Sequence, residues 1–296
     1  MSLIDHIHRF QNADLAKFLP WHIRDGRIGD VRVGWMRRDI AERLAAYPTV
    51  FSVDDRQVLL KPHLANFDHR SAAVGDVVRD LYEAGAFTGW RNEWFPVLSR
   101  FGAQPLMRLE RSAVPVFGVH GYGVHMNGFV RDRGKLKLWI GTRADNRPIE
   151  PGKLDHLVAG GIPLGMGVRE CLVKECEEEA SISPDLAARA KPAGAIRYCM
   201  EHQGWLRNDT MFVYDLELPA GFTPLNKDGE IARFRLMELE EVESILAAGE
   251  DFKFNVALVL IDFLIRHGYL MPEHPDYSDL ALGLWRHASG NNGSPM

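Results

Sequence analysis

Apolar residues recur at helical and strand spacings along two differently punctuated halves of the chain. In the first half, Ile4, Ile7, Phe10 and Leu15 predict a helix within residues 3–18. Ile40 and Leu44, four apart and followed by Pro48, predict another over 37–46. Short strands are expected at 50–53 and 58–60, around the polar turn Asp54-Asp55. Val74, Val77, Val78 and Leu81 share one face of an amphipathic helix over 71–84, with Gly85 just past its end. Trp35, Trp90 and Trp94 are expected to fill core or interface space, because large aromatics dominate burial.

After Glu110 glycines punctuate strand-like runs at 116–119, 124–130 and 135–142, the last two joined by the turn residues Arg131-Asp132-Arg133-Gly134. A glycine-rich loop, a charged helix over 168–180 and a strand at 195–200 follow. Over 211–218, Met211, Val213, Asp215 and Glu217 alternate with Phe212, Tyr214, Leu216 and Leu218. A strand at 231–237 and helices over 238–247 and 252–267 come next, and 288–296 is expected to be disordered. This order predicts an α+β or mixed-sheet fold with a break near residues 110–115. The expected units are an N-terminal α+β domain at 1–114, a second domain at 115–270 and a tail at 271–296.

The 296 residues are 46% apolar and 25% charged, enough to build a sizeable core. A net charge of −5 speaks against a nucleic-acid-binding face, although charge is concentrated in a basic stretch at 131–137 and an acidic one at 175–179. Three cysteines without a C-x-x-C spacing fit a reducing cytoplasm better than a disulfide framework. The opening MSLIDHIHRF lacks the pattern of a secretory signal, and the apolar run at 256–265 contains Asp262 and is too short to span a bilayer. No membrane association is expected.

The segment GGIPLGMGVRECLVKECEEEASI, residues 160–182, carries the candidate chemistry. Its helix places Val168, Leu172, Cys176 and Ala180 on one apolar stripe. Glu175, Glu178 and Glu179 crowd a different face at i, i+3 and i+4, where like charges repel. A run of glutamates alone reads as a solvated acidic face. Here the double glycine Gly160-Gly161 lies upstream, where a backbone carbonyl can approach a metal, and Lys174 precedes the first glutamate as an ion-pair partner. A hard cation that takes oxygen ligands and shares them with phosphates would offset the repulsion.

The pattern Gly160…Lys174-Glu175-x-x-Glu178-Glu179-x-x-Ile182 resembles the Nudix box. It departs from that box at three places: Lys174 stands for the usual arginine, Met166 for the upstream glutamate and Ser181 for the late glycine. The resemblance implies an α/β/α sandwich with a mixed sheet, preceded by the smaller N-terminal domain. It also implies hydrolysis of a diphosphate with Mg²⁺ (or Mn²⁺). The implied metal ligands are Glu175, Glu178, Glu179 and the carbonyl of Gly160 or Gly161, with one glutamate doubling as the base. Glu230 stands where such enzymes often place a further acid. The stretch LWIGTRADNRPIEPGKLDHLVAGGIP, with Val33-Gly34-Trp35, Trp90-Arg91-Asn92-Glu93 and Glu110-Arg111, is similar to a branch related to thiamine pyrophosphokinase fusion proteins. That branch implies thiamine diphosphate derivatives, oxidised or damaged, cut to the monophosphate.

Trp139, Arg143, Lys153 and Asp155 precede the box and supply stacking, phosphate-pairing and polar groups, so they are the expected substrate contacts. The expected partner is a small diphosphate at the meeting of the two domains; a homodimer is compatible with the sequence. Alternatives are hydrolysis of ADP-ribose or another nucleoside diphosphate derivative, a non-catalytic nucleotide-sensing module, or an isomerase acting on an isoprenoid diphosphate. Gly165-x-Gly167 and Gly121-x-Gly123 are fragments of dinucleotide patterns, and His120, His125 and His156 lack zinc-site spacing. Cys171 and Cys176 are expected in the core.

Overall fold

The computed structural model describes residues 2–147 and 149–285. The tail expected to be disordered at 288–296 lies outside the described residues.

Helix α1 (Leu3–Arg9) is shorter than the expected 3–18, because a strand, β1 (Phe18–Asp25), begins where the helix was to end. The period changes from helical to two: Leu19, Trp21 and Ile23 are buried while Pro20, His22 and Arg24 are less so. β1 turns at Gly29 (φ 83°) into β2 (Gly29–Arg37). Helix α2 (Arg38–Leu44) and strands β3 (Phe51–Val53) and β4 (Val58–Leu60) fall where the pattern placed them. Together they form a four-stranded sheet in the order β2-β1-β4-β3. Helix α3 (Phe67–Glu83) starts four residues earlier than expected because Asn66 Oδ1 accepts the His69 amide at 2.9 Å and caps it. Val74, Val77, Val78 and Leu81 face the sheet in one core with Trp21, Ile23 and Val58. A two-stranded ribbon, β5 (Trp94–Val97) and β6 (Met107–Glu110), completes this half.

The run at 116–119 is buried but forms a turn, not the expected strand. Gly118 has φ 53° and lies against the Trp35 carbonyl, while Gly34 leaves room for the Phe117 carbonyl. Two missing side chains let the connector rest directly on β2.

Strands β7 (Gly121–Asp132) and β8 (Lys135–Arg143) form the expected hairpin, with Arg133 and Gly134 both at positive φ. Short strands β9 (Leu154–Asp155) and β10 (Val158–Gly161) add to β8 and β7. Helices α4 (Val168–Ala180) and α5 (Pro184–Ala187) precede the long pair β11 (Lys191–His202) and β12 (Trp205–Glu217), then β13 (Ile231–Glu238). The main path is β11-β12-β7-β8-β13, with β7 and β12 parallel and the other pairs antiparallel.

This sheet is the middle layer of an α/β/α sandwich. On one face Cys171, Leu172 and Cys176 of α4 pack on Val124, Met126 and Leu216. On the other, helices α6 (Leu239–Ala248) and α7 (Val256–Arg266) cover Phe129, Ile140, Met211 and Val213. Residues 252–255, expected as helix, instead run beside Leu154, whose amide and carbonyl bond Asp251 and Lys253 at 2.9 and 2.8 Å. Helix α8 (Tyr277–Trp285) falls within the stretch expected as a tail. Its Leu280 and Leu284 share the α7 core with Leu3, Ile7 and Phe10 of the N-terminal segment. The first helix therefore packs with the second half, because the apolar face of α1 finds its cover on α7 and α8. Among the described residues no helix is long and apolar enough to cross a membrane.

Candidate active site

Helix α4 owes its orientation to its apolar stripe, on which Leu172, Cys176 and Ala180 are fully buried. Removing a side chain such as Leu172 would cost about 2–5 kcal/mol, so the opposite edge of the helix is firmly placed. The helix ends on Ser181, which adopts the left-handed conformation (φ 53°) at the position where a glycine is usual in the resembled box. Its hydroxyl donates to the Leu225 carbonyl at 2.6 Å, one of several ties to the loop 225–230. The Leu225 and Lys227 amides donate to the carbonyls of Ala180 and Glu178, and Asn226 Nδ2 donates to that of Glu179. The loop is thereby fastened over the end of α4, and Asp228 Oδ1 accepts the Glu230 amide at 2.8 Å to close its turn.

This docking brings carboxylates together. Oxygens of Glu179, Asp228 and Glu230 lie within 4.8 Å of one another. Glu179 is buried, and its Oε2 accepts the Ala159 amide of β10 at 2.7 Å. Burial raises its pKa well above the ordinary carboxylate value, with neighbouring acids adding to the effect. Glu175 lies against Gly160: a methyl group at 160 would stand 2.6 Å from Glu175 Oε1 and nearer still to Cδ and Cγ. Burial also raises the Glu175 pKa, while Lys174 opposes the rise. Lys174 Nζ donates to Glu175 at 3.2 Å and to Glu178 at 2.6 Å, the expected ion pair and one more. Glu178 is half exposed and stands outside the tight group. The donors are all oxygen, a hard set suited to Mg²⁺ or Mn²⁺, and a buried carboxylate among acids calls for positive charge.

A cavity of about 330 Å³ opens beside this cluster, between the two halves of the chain. Gly160, Gly161, Glu230 and Arg143 of the expected site line it, along with Arg91, Arg111, Arg147, Arg207 and Lys253. Phe87, Phe95 and the 111–116 connector close it from the N-terminal half.

The four expected substrate contacts separate. Arg143 lines the cavity, but its guanidinium is buried on Asp155 at 2.6 Å and on the Ile149 carbonyl at 2.8 Å, so its fork is already occupied. Asp155 lies beneath, held ionised against burial by Lys253 and Arg143. Lys153 Nζ bonds the Glu250 carbonyl and is not in the cavity wall. Trp139 packs with the α4 core, next to Leu236 in register, and is not in the cavity wall. His125 and His156 contact each other at 3.1 Å in the interior, and burial lowers both, His156 to about 4. Burial pushes the Cys171 and Cys176 thiols up to about 12, consistent with core residues.

Asp228, Arg147 and Lys253 were not selected from the sequence. Asp228 had a signal in its spacing from Glu230; Arg147, which pairs with Glu230 at 2.6 Å, had only its charge.

Comparison with known proteins places the two halves separately. Residues 2–121 match a domain of unknown function, DUF4743, and residues 121–257 match the NUDIX domain. The chain is 42% identical over 275 residues to Nudix hydrolase 20, chloroplastic, of Arabidopsis thaliana, covering 90% of this chain and 72% of that protein. It is 42% identical over 268 residues to Nudix hydrolase 24, chloroplastic, of the same plant, with the same coverage. A crystal structure of DR0079 from Deinococcus radiodurans aligns at 24% identity and TM-score 0.38, over 51% of this chain and 83% of that one. With two relatives so similar over nine-tenths of its length, and the box glutamates in place on α4, the chain belongs to the Nudix hydrolase family.

Proposed function

We propose that this chain hydrolyses a diphosphate linkage with the aid of Mg²⁺ or Mn²⁺, and that its substrates are thiamine diphosphate derivatives cut to the monophosphate. The observation that carries the reading is the carboxylate cluster of Glu179, Asp228 and Glu230, with Glu175 set against Gly160, at the edge of a cavity rich in arginine. Glu175, Glu178, Glu179 and the Gly160 carbonyl would hold the metal, joined by Asp228 and Glu230. A bound divalent cation neutralises the diphosphate and makes water more acidic. Arg147, paired with Glu230, and Lys253, paired with Asp155, line the cavity and would share their remaining N–H donors with phosphate oxygens to orient the substrate. Glu230, the acid of the cluster that lines the cavity, receives the proton of the attacking water. Water oxygen bonds to one phosphorus, the bridging P–O bond breaks, and a monophosphate and inorganic phosphate leave.

The thiamine assignment rests on the resemblance of 138–163 and of the N-terminal motifs, together with the aromatic closure of the cavity by Phe87 and Phe95. The two-domain division near residue 115 belongs to the same reading, as does a small-molecule partner in place of a nucleic acid. So does a reducing cytoplasmic setting, in which Cys171, Cys176 and Cys199 stay thiols. The test is a panel of thiamine diphosphate, its oxidised derivatives, ADP-ribose and a nucleoside triphosphate with Mg²⁺, read by product chromatography. Glu178→Gln and Glu179→Gln are each expected to lose most turnover; Glu178 is half exposed, so its variant should change stability by only about 0.5 kcal/mol. Full activity in both variants would remove the metal assignment. A much higher kcat/KM for the triphosphate would remove the thiamine assignment, and preference for ADP-ribose would keep the diphosphate chemistry alone.

A further inference from the structure

The cavity has a second end that phosphate chemistry leaves unused. Asp209 on β12 stands in register with Gly121 on β7, and its Oδ1 occupies the space that a side chain at 121 would fill. Its Oδ2 accepts the hydroxyl of Tyr198, its cross-strand partner on β11, at 2.7 Å. Asn255, just before α7, reaches the same hydroxyl with Nδ2 at 3.5 Å. The Asn255 Oδ1 is buried without a hydrogen-bond partner, in a residue only 7% exposed. Asp209, Tyr198 and Asn255 all line the cavity. The nearby cation, Arg207, lies over the Phe254 ring at 5.9 Å. This end therefore offers two acceptors, the buried Asn255 Oδ1 and the half-buried Asp209 carboxylate. A buried acceptor without a donor costs about 1–3 kcal/mol, a cost that an N–H on a ligand would remove.

The spacing suits one ligand spanning both ends. Gly161 pairs with Gly123, which pairs in turn with Met211, and Asp209 is two residues back along the same strand. With strands about 4.8 Å apart and about 3.3 Å per residue, Gly161 and Asp209 are roughly 12 Å apart across the sheet. Gly121 and Gly123 line the cavity between them and let Asp209 Oδ1 and the Gly160 carbonyl approach β7 closely.

We propose that Asp209 and Asn255 form the recognition site for a nitrogen heterocycle that presents an N–H, carried at the end of the substrate remote from its diphosphate. The proposal rests on the hydrolase reading of the same cavity and adds the group that selects the substrate. The N–H is supplied by an exocyclic amine or by a ring lactam. Burial raises the pKa of Asp209, which agrees with a carboxyl awaiting a donor.

The experiment uses the full chain with Mg²⁺ and three probes: thiamine diphosphate, which carries the amine; its 4-oxo analogue, which carries a lactam N–H; and its 4-deamino analogue, which carries neither. The wild-type protein should turn over at least one of the first two with kcat/KM about 10–100-fold above the third. Which of the two is preferred identifies the donor. Asp209→Ala should lower kcat/KM for the N–H-bearing probes by about 10-fold or more beyond any loss on the third probe, which abolishes the preference, and Asn255→Ala should reduce it. Equal rates on all three probes in the wild type, or one common factor of loss in Asp209→Ala, would overturn the proposal. Thermal melting followed by circular dichroism checks that Asp209→Ala folds; if it does not, Asp209→Asn, which keeps an acceptor for Tyr198, carries the comparison through a smaller preference. If no probe is turned over, the hydrolase reading is at fault, and calorimetric titration with the three unphosphorylated compounds decides the present one. Tighter binding of an N–H-bearing compound that vanishes in Asp209→Ala supports the site, and equal binding of all three refutes it.

Discussion

Replacing Gly160 by alanine should damage catalysis more than folding. Gly160 is in an ordinary strand conformation on β10, opposite Val124, so its backbone tolerates a side chain. The obstacle is Glu175: the new methyl group would stand 2.6 Å from Oε1 and closer to Cδ and Cγ, where contacts of about 3.5–4.0 Å are needed. The strand cannot retreat easily, because β10 is registered on β7 from Val158 to Gly161 and the Ala159 amide is bonded to Glu179. The flexible partner is the Glu175 side chain, which must withdraw by about 1 Å or more toward Lys174. Overpacking of this kind costs about 1–3 kcal/mol of stability. A misplacement of about 1 Å in a catalytic group can cost on the order of 100-fold in rate. Steady-state kinetics with varied Mg²⁺, a Mn²⁺ binding titration and a thermal melt would resolve the three effects. The expected variant is folded, weak in metal binding and slow. Wild-type kcat at wild-type metal affinity would show that Glu175 has no part in the site.

Asp228→Asn tests the acid contributed by the loop. It should lower Mn²⁺ affinity by about 10-fold or more with little change in melting temperature, since the residue is exposed; an unchanged titration would return Asp228 to the solvated surface. Asp215→Asn tests electrostatics away from the site. Burial opposes ionisation of Asp215, but His267 and Arg266 outweigh it and bring the pKa down to about 2. A lowered carboxyl pKa stabilises the fold fully above the ordinary 3.8, and the contribution is lost as pH falls through about 2. The variant should therefore be less stable by about 2 kcal/mol at pH 7, and the two proteins should converge near pH 2. Denaturant titrations that give a pH-independent gap would contradict this.

What could be read from the sequence was whatever a single element decides by itself. Helix α4 and its three glutamates were legible because one stripe, Leu172 to Ala180, fixes both the element and the face it turns outward. The alternation at 211–218 was legible for the same reason: Met211 and Val213 meet α7 while Tyr214 and Leu216 meet α4. Strand β1 was hidden because helical spacing at Ile4, Ile7 and Phe10 was extended to a region where the period is two. The substrate side of the site was legible only in part, with Arg143 in the cavity wall and Trp139, Lys153 and Asp155 outside it. Trp139, Arg143, Lys153 and Asp155 have the right chemistry, but a mixed sheet has two buried faces, and composition does not say on which one a cavity opens. That choice is made by distant chain: residues of 87–91 and 111–116 in the N-terminal half line the cavity together with Gly121 and Gly123 of β7. Both phases of the strands reach it: Asp209, Met211, Gly121, Gly123 and His125 line the cavity together with Tyr122, Thr210, Gly160 and Arg143, while Trp139 packs with the α4 core. The glycines set aside as a fragment of a dinucleotide pattern thus have a physical role. They let Asp209 of β12 and the Gly160 carbonyl of β10 come close to β7, and the N-terminal half closes the cavity beside them.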